Sequence, residues 1–380
     1  MGPRRGKSAK RPGKKPGSQS EPKLTIEQLL VKTQALMDDN SYELALKTAV
    51  QAVALDESNT QALLLAAIIQ LESGDIEPAM NCLLRCVELS PDRGFEKYMY
   101  LGQFTVERES ARYFQLGVDA IQRDLDEAPK DSDYARVLRR KMAEAYVSMT
   151  EIYLTDCCFE SDAERKCEEY LRLAAAADPG CPEVLQTMAS VRLSQSRTDD
   201  ARECVSRSMA MWAACDQNDP AQIPSYENRL ALVRLLLELD DKERALSIME
   251  RLQREDDENV DLWYLYGWTY YLQGEEAGAG SADRPEDADA GSADRAEVLA
   301  SARECFKQAI KLAAMQEFEN DALVDHAREL LAAIGSVRPL ADGQDDGDDD
   351  DDNTLAADAQ EQDWEDVSSS DDDDDVEMAA

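Results

Sequence analysis

Asp261, Tyr264, Trp268 and Tyr271 recur at spacings of three and four within the stretch "DLWYLYGWTYYLQG", Asp261 to Gly274. At about 100° per residue, these spacings put all four on one side of a helix. An acid beside three rings is chemistry for gripping cations. Ring faces attract Lys and Arg, and aromatic side chains bind with little loss of conformational freedom. A second stripe, Trp263, Tyr266 and Tyr270 around Gly267, lies roughly 120° away. With Leu262, Leu265 and Leu272 the segment is apolar nearly all round. Such a helix is either fully buried or leaves one stripe open to a partner.

Groups for bond-making chemistry are scarce. His326 is the single histidine, which removes most imidazole acid–base schemes. No phosphate-binding G-x-x-x-x-G-K-[ST], no H-E-x-x-H and no G-x-S-x-G occurs. The nine cysteines are odd in number and scattered; Cys82 and Cys86 are four apart, Cys157 and Cys158 adjoin, and no C-x-x-C exists. The pattern predicts reduced, buried thiols in a cytosolic or nuclear protein. The sequence therefore predicts no enzyme, no cofactor and no metal site.

Charge narrows the partners. The 380 residues carry 80 Asp and Glu against 41 Lys and Arg, a net charge of −39. Residues 1–23 hold eight Lys or Arg and one Glu, whereas residues 341–380 hold 19 Asp or Glu and no Lys or Arg. The middle is itself acidic. Such a field repels nucleic acid and membrane surfaces of like sign and attracts basic polypeptides. The longest apolar run, "LLLAAII" at Leu63 to Ile69, is far below the roughly 20 residues of a membrane span.

The elements that must position the aromatic residues form a repeat. Ala45 and Ala79 are 34 apart, as are Cys167 and Ala201, and Glu57 and Pro91. The unit Asn59–Asp92 reads as two helices: Leu63, Ala66 and Ala67 begin the first, Gly74 turns it, Ala79, Leu83 and Cys86 line the second, and Pro91 ends it. Trp263, Tyr266, Gly267 and Tyr270, followed late by Ala302, Phe306 and Ala309, complete the pattern best. These residues resemble the tetratricopeptide family, whose units show aromatic–x2–L–G–x2–Y, then A–x3–F–x2–A, then Pro. The resemblance implies an all-α superhelical solenoid over 24–338: seven helix pairs and a capping helix, Glu319–Gly335. It also implies a disordered basic segment 1–23, a disordered polyacidic tail 339–380, and a disordered insertion at Glu275–Glu297, rich in Gly, Ala and Asp.

In that family one face of each first helix lines the concave groove. Carried over by position, the groove holds Glu96, Met99, Gln103 and Glu107 in the third unit and Glu144 in the fourth. It continues with Glu183 and Gln186 in the fifth, Glu227, Leu230 and Glu238 in the sixth, and Asp261, Tyr264, Trp268 and Tyr271 in the seventh. Acids and rings together suit a basic segment with some apolar content. The alternative is that the three rings pack against the insertion or a neighbouring repeat, and that the acids only solubilise the helices. The cationic clamp with which some members hold chaperone carboxylates is absent: Glu27, Leu30 and Gln34, then Gln61, Leu64 and Ile68, occupy those positions.

Repeats, acidic groove, polyacidic tail and short basic start together resemble the fungal assembly chaperones dedicated to large-subunit ribosomal protein four. That resemblance implies a basic ribosomal-protein client, whose long internal loop is held inside the superhelix, kept soluble and delivered to nuclear pre-ribosomes. It implies residence in nucleus and cytoplasm, with nuclear import factors as further partners and no direct contact with nucleic acid or membrane. A histone chaperone and a scaffold subunit of a large complex are the rival readings. In the first, the long acidic run interrupts an early repeat; here the insertion falls in the last. The basic start reads as an import signal, a nucleic-acid tether or a pairing partner for the acidic tail. Ser368, Ser369 and Ser370 precede acids and suit acidophilic kinases.

Overall fold

The computed structural model describes residues 24–213, 223–282, 288–316 and 318–336. Both charged terminal segments, 1–23 and 339–380, lie outside the described residues. Within them the chain forms fifteen helices and no strand. In order these are α1 Ile26–Asp38, α2 Tyr42–Leu55, α3 Thr60–Glu72, α4 Ile76–Leu89, α5 Glu96–Gln103, α6 Glu107–Glu127, α7 Asp133–Leu154 and α8 Ala163–Ala177. There follow α9 Pro182–Ser194, α10 Thr198–Ala213, α11 Tyr226–Glu238, α12 Lys242–Glu255, α13 Val260–Ala282, α14 Ala288–Met315 and α15 Asp321–Ser336. Each odd-numbered helix up to α13 packs on the even-numbered one that follows, and α15 closes against α14. The result is a tetratricopeptide-type array of helix pairs.

Small residues set the spacing. Ala45 and Ala79, 34 apart, are both sealed from solvent, as are Ala49, Ala52, Ala62, Ala67 and Ala201. Each lets a neighbouring backbone approach closely and leaves room for Leu83, Leu171, Leu232 or Leu236 opposite. The turns repeat as faithfully. Asn40, Gly74, Ser196 and Asp240 all take positive φ, at 53°, 79°, 59° and 64°. In each case the next residue donates its backbone N–H to the carbonyl five positions earlier, at 2.8 Å: Ser41 to Leu36, Asp75 to Gln70, Arg197 to Arg192 and Asp241 to Leu236. This is the Schellman closure of a helix end. Only one of the four turns uses glycine; the others accept the cost of a left-handed residue.

Two units depart from the 34-residue frame. α5 has eight residues, and the aromatic that fills its glycine notch is Phe114: a Cβ on Gly102 would lie 2.7 Å from that ring. The last pair is longer. α13 has 23 residues and α14 has 28, where the first four helices have 13 or 14.

The insertion expected at 275–297 is therefore corrected. Helix continues from 275 through 282 and resumes at 288, so only 283–287 falls outside the described helices. The reason lies in the glycines. Gly267, Gly274 and Gly278 share one side of α13, and a Cβ on each would meet, in turn, Phe306 at 2.7 Å, Leu299 at 2.6 Å and the Arg295 guanidinium at 2.8 Å. The notches step by seven and four along α13, and the knobs step by seven and four back along α14. Arg295 also bridges to Glu275 at 3.0 Å. Glycines that read as breakers are the groove into which the partner helix fits.

Among the described residues the cysteines are unpaired. Burial pushes the thiols of Cys86, Cys167 and Cys305 up to about 11 and that of Cys181 up to about 12. They pack as small apolar groups, without reactive thiolate.

Candidate client-binding face

First helices touch first helices along much of the chain: α1 with α3, α7 with α9, α9 with α11, and α11 with α13. Second helices show no comparable contact with one another. A stack that is close on one side and splayed on the other curves toward the close side, so the first helices form the inner wall. The expected groove residues sit on these helices, but the structure sorts them into three groups.

The first group is enclosed. Gln186 is 6% exposed and donates from Nε2 to the Ser208 hydroxyl at 3.4 Å, so it joins α9 to α10. Leu230 is also 6% exposed, in the core shared by α11, α12 and α13. Met99 is half-buried and rests on Gly117 of α6. Gln186 and Leu230 are corrections to the expected groove: an incoming polypeptide does not reach a side chain sealed between helices. A position carried over from a repeat pattern fixes only a rough angle about the helix axis, and the tilt of the neighbouring pair decides the rest.

The second group is occupied with neighbouring repeats. Glu183 accepts from Arg140 Nη2 of α7 at 2.9 Å and from Asn228 Nδ2 of α11 at 3.1 Å, linking three successive first helices. Arg140 also approaches Glu144 at 3.4 Å and Asp178 at 3.7 Å, and Glu144 takes Lys141 at 2.7 Å. Asp261 holds Arg234 of α11 at 2.6 Å. Sequence reasoning missed Arg140 and Asn228 as the mates of these acids. A signal was present: each sits on a first helix within a turn of an expected groove position.

The rings belong here too. Tyr264, Trp268 and Tyr271 are half-buried and pack with Phe306, Ala327, Leu330 and Ile334, so α15 lies against them. The Tyr264 hydroxyl and His326 Nδ1 are 2.7 Å apart. The His326 ring stands 5.9 Å from Tyr264 and 5.6 Å from Trp268, and Trp268 stacks on Tyr271 at 5.8 Å. Burial raises the Tyr264 phenol, which keeps its proton for hydrogen bonding. The expected open aromatic floor is thus corrected: the stripe is the seat of the capping helix, and the alternative of packing against a neighbouring repeat describes it. The other stripe is core, with Tyr266 at 6% exposure. Trp263 is half-buried and donates Nε1–H to the Asp257 carbonyl at 2.6 Å.

The third group stays open. Gln103, Glu107, Glu227 and Glu238 are exposed and Glu96 is half-buried. None of the four acids takes an ion-pair partner among the described residues. Glu107 holds a positive φ of 53° where the chain turns into α6, a conformation glycine would adopt more easily. A face carrying these carboxylates can attract Lys and Arg side chains at a distance and accept their hydrogen bonds on contact. Among the described residues no group of His, Cys, Asp and Glu is placed to hold a metal ion.

Comparison with known proteins agrees with this architecture. Tetratricopeptide repeat models match residues 60–93 and 230–293. A protein of Emericella nidulans named "Probable assembly chaperone of rpl4" is 32% identical over 330 residues, covering 83% of this chain and 81% of the relative. The chain belongs to this family of assembly chaperones. A Schizosaccharomyces pombe protein of the same name is 29% identical over 322 residues, covering 83% of this chain and 92% of its own. The solved structure of "Assembly Chaperone of RpL4 (Acl4) (Residues 1-338)" superposes with a TM-score of 0.60 at 33% identity, over 68% of this chain and all of that one.

Proposed function

We propose that this chain is a dedicated chaperone of newly made large-subunit ribosomal protein L4, holding a basic segment of it on the first-helix wall. The observation that carries the proposal is the 33% identity to Acl4 across the whole of that solved chain. The names of the two fungal relatives point the same way. A ribosomal protein segment destined for RNA is rich in Lys and Arg and binds any polyanion it meets. Carboxylates on a curved wall stand in for RNA phosphate until the true site competes. Delivery to pre-ribosomes follows from exchange of one anionic surface for another, and residence in both nucleus and cytoplasm follows from that journey. The basic 1–23 segment serves as the import signal in this reading, with an import factor as its partner.

The contact residues are Glu96, Gln103, Glu107, Glu227 and Glu238. Glu144, Glu183 and Asp261 shape the same wall through their ion pairs, and the rings of α13 hold its end in place. Crosslinking purification from cells is the test of client identity: L4 should be the ribosomal protein enriched, and recovery of histones in its place overturns the reading. Exchanging Glu96, Glu107, Glu227 and Glu238 together for Lys should weaken binding of a basic L4 segment by at least roughly tenfold. The salt dependence of binding should become shallower as well.

A further inference from the structure

A cavity of about 580 Å³ opens on the side of the array away from the first-helix wall, between α10 and α12 at the foot of α11. Its floor is apolar: Met209, Trp212 and Ile248. Its rim is basic. Arg244, Arg251 and Arg254 follow one another at seven and three residues along α12 and so share a side of that helix. Arg229 also lines the cavity, but Glu255 neutralises it through a two-bond contact at 2.5 Å. Arg244 is held by Asp241, its own helix cap. Arg251 and Arg254 are exposed and have no carboxylate partner among the described residues. On a chain of net charge −39, two unpaired guanidiniums over an apolar pocket are an anomaly that calls for an acidic occupant.

We propose that this cleft holds the chain's own C-terminal segment "EQDWEDV", Glu361 to Val367, with Trp364 on the apolar floor and the flanking carboxylates on the arginines. Three observations select it. Trp364 is the one aromatic residue after Ser336, and the pocket has an apolar floor of the kind an indole fills. Glu361, Asp363, Glu365 and Asp366 surround it, and Arg clusters recognise such acidic motifs by charge-assisted hydrogen bonds. Reach is ample: the roughly 28 residues from Ser336 to Trp364 could extend up to ~90 Å, whereas neighbouring helices are about 8–10 Å apart. The rest of the body repels the tail, so the basic cleft is where a folded-back tail is attracted. Seating Trp364 there places the tail on the outer side of the array. The aspartate runs at Asp348–Asp352 and Asp371–Asp375 then flank the second helices and leave the first-helix wall free.

The test uses the full chain without client, so it is independent of the chaperone reading. Trp364 is replaced by the photocrosslinking residue p-benzoylphenylalanine, and crosslinked peptides are mapped by mass spectrometry in a mixture of isotopically light and heavy protein. The expected products are intramolecular and join position 364 to Met209, Trp212 or residues 244–255. Arg251→Glu with Arg254→Glu should cut that yield roughly tenfold or more. Arg251→Lys with Arg254→Lys should keep most of it, which separates lost charge from lost fold. Light-to-heavy crosslinks would instead make the occupant a second copy. Crosslinks to the first helices, or none at the cleft because residues 214–222 fill it, would overturn the proposal.

Discussion

The C-terminal end of the array and its middle solve the same problem with different side chains. In both, neighbouring first helices must be joined along the inner wall. From α7 to α11 the join is ionic: Arg140, Glu183 and Asn228 run across three helices, with Arg234 and Asp261 carrying the line to α13. From α13 to α15 it is aromatic: Tyr264, Trp268 and Tyr271 receive α15 and His326. Ion pairs that remain partly exposed contribute little each, and they leave the surface polar and hydrated. Packed rings contribute several-fold more and close the surface. The difference separates a wall that can still receive a polypeptide from an end that has already received its cap.

The largest expected effect lies at the aromatic end. Replacing Tyr264, Trp268 and Tyr271 together by Ala should cost at least about 3 kcal/mol in urea unfolding, because α15 loses its seat. An unchanged midpoint with weakened L4 binding would break the comparison, since the rings would then serve the client and not the cap. Gly267→Val comes next. Its added carbons meet Phe306, and overpacking of this kind costs about 1–3 kcal/mol. Thermal unfolding followed by far-UV circular dichroism checks it.

In the ionic middle the effects should be small. Arg140→Ala should lower stability by less than about 1 kcal/mol, as expected for a pair 37% exposed on the Arg side. A loss of several kcal/mol would show the middle to be sealed like the end. Acid gives the smallest effect. Arg192 holds the Glu168 carboxyl below its ordinary range, and Arg229 does the same for Glu255. A lowered folded-state value contributes stability above the ordinary carboxylate range, and that contribution fades as pH falls through and below it. Stability measured from neutral pH down to about pH 3 should therefore fall gently, and less so after Glu168→Gln.

Much of the array is legible in the sequence because its signals are local. Ala45 and Ala79 mark the period, and Gly267 with Phe306 marks the notch and its knob even across a long separation. What fails is anything decided between units. Leu230 and Gln186 look like groove residues by position, yet the tilt of the adjoining pair encloses them. Composition misleads at 275–297, where Gly, Ala and Asp suggest a loop. The stepping of Gly267, Gly274 and Gly278 against Phe306, Leu299 and Arg295 is the stronger signal, visible only when two helices are read against each other. The rings of α13 fail for a related reason. An apolar stripe records that something covers it and does not record what.

The extended α13–α14 pair carries a mechanical consequence. Its glycine notches and matching knobs interlock in series, so tension applied across residues 283–287 loads Gly278 and Arg295 first, then Gly274 and Leu299, then Gly267 and Phe306. Such a pair peels like a zip, one tooth at a time, at low force. A pull between Leu24 and Ser336 instead loads the stacked units end to end, and the two directions should yield different rupture forces in a single-molecule tether.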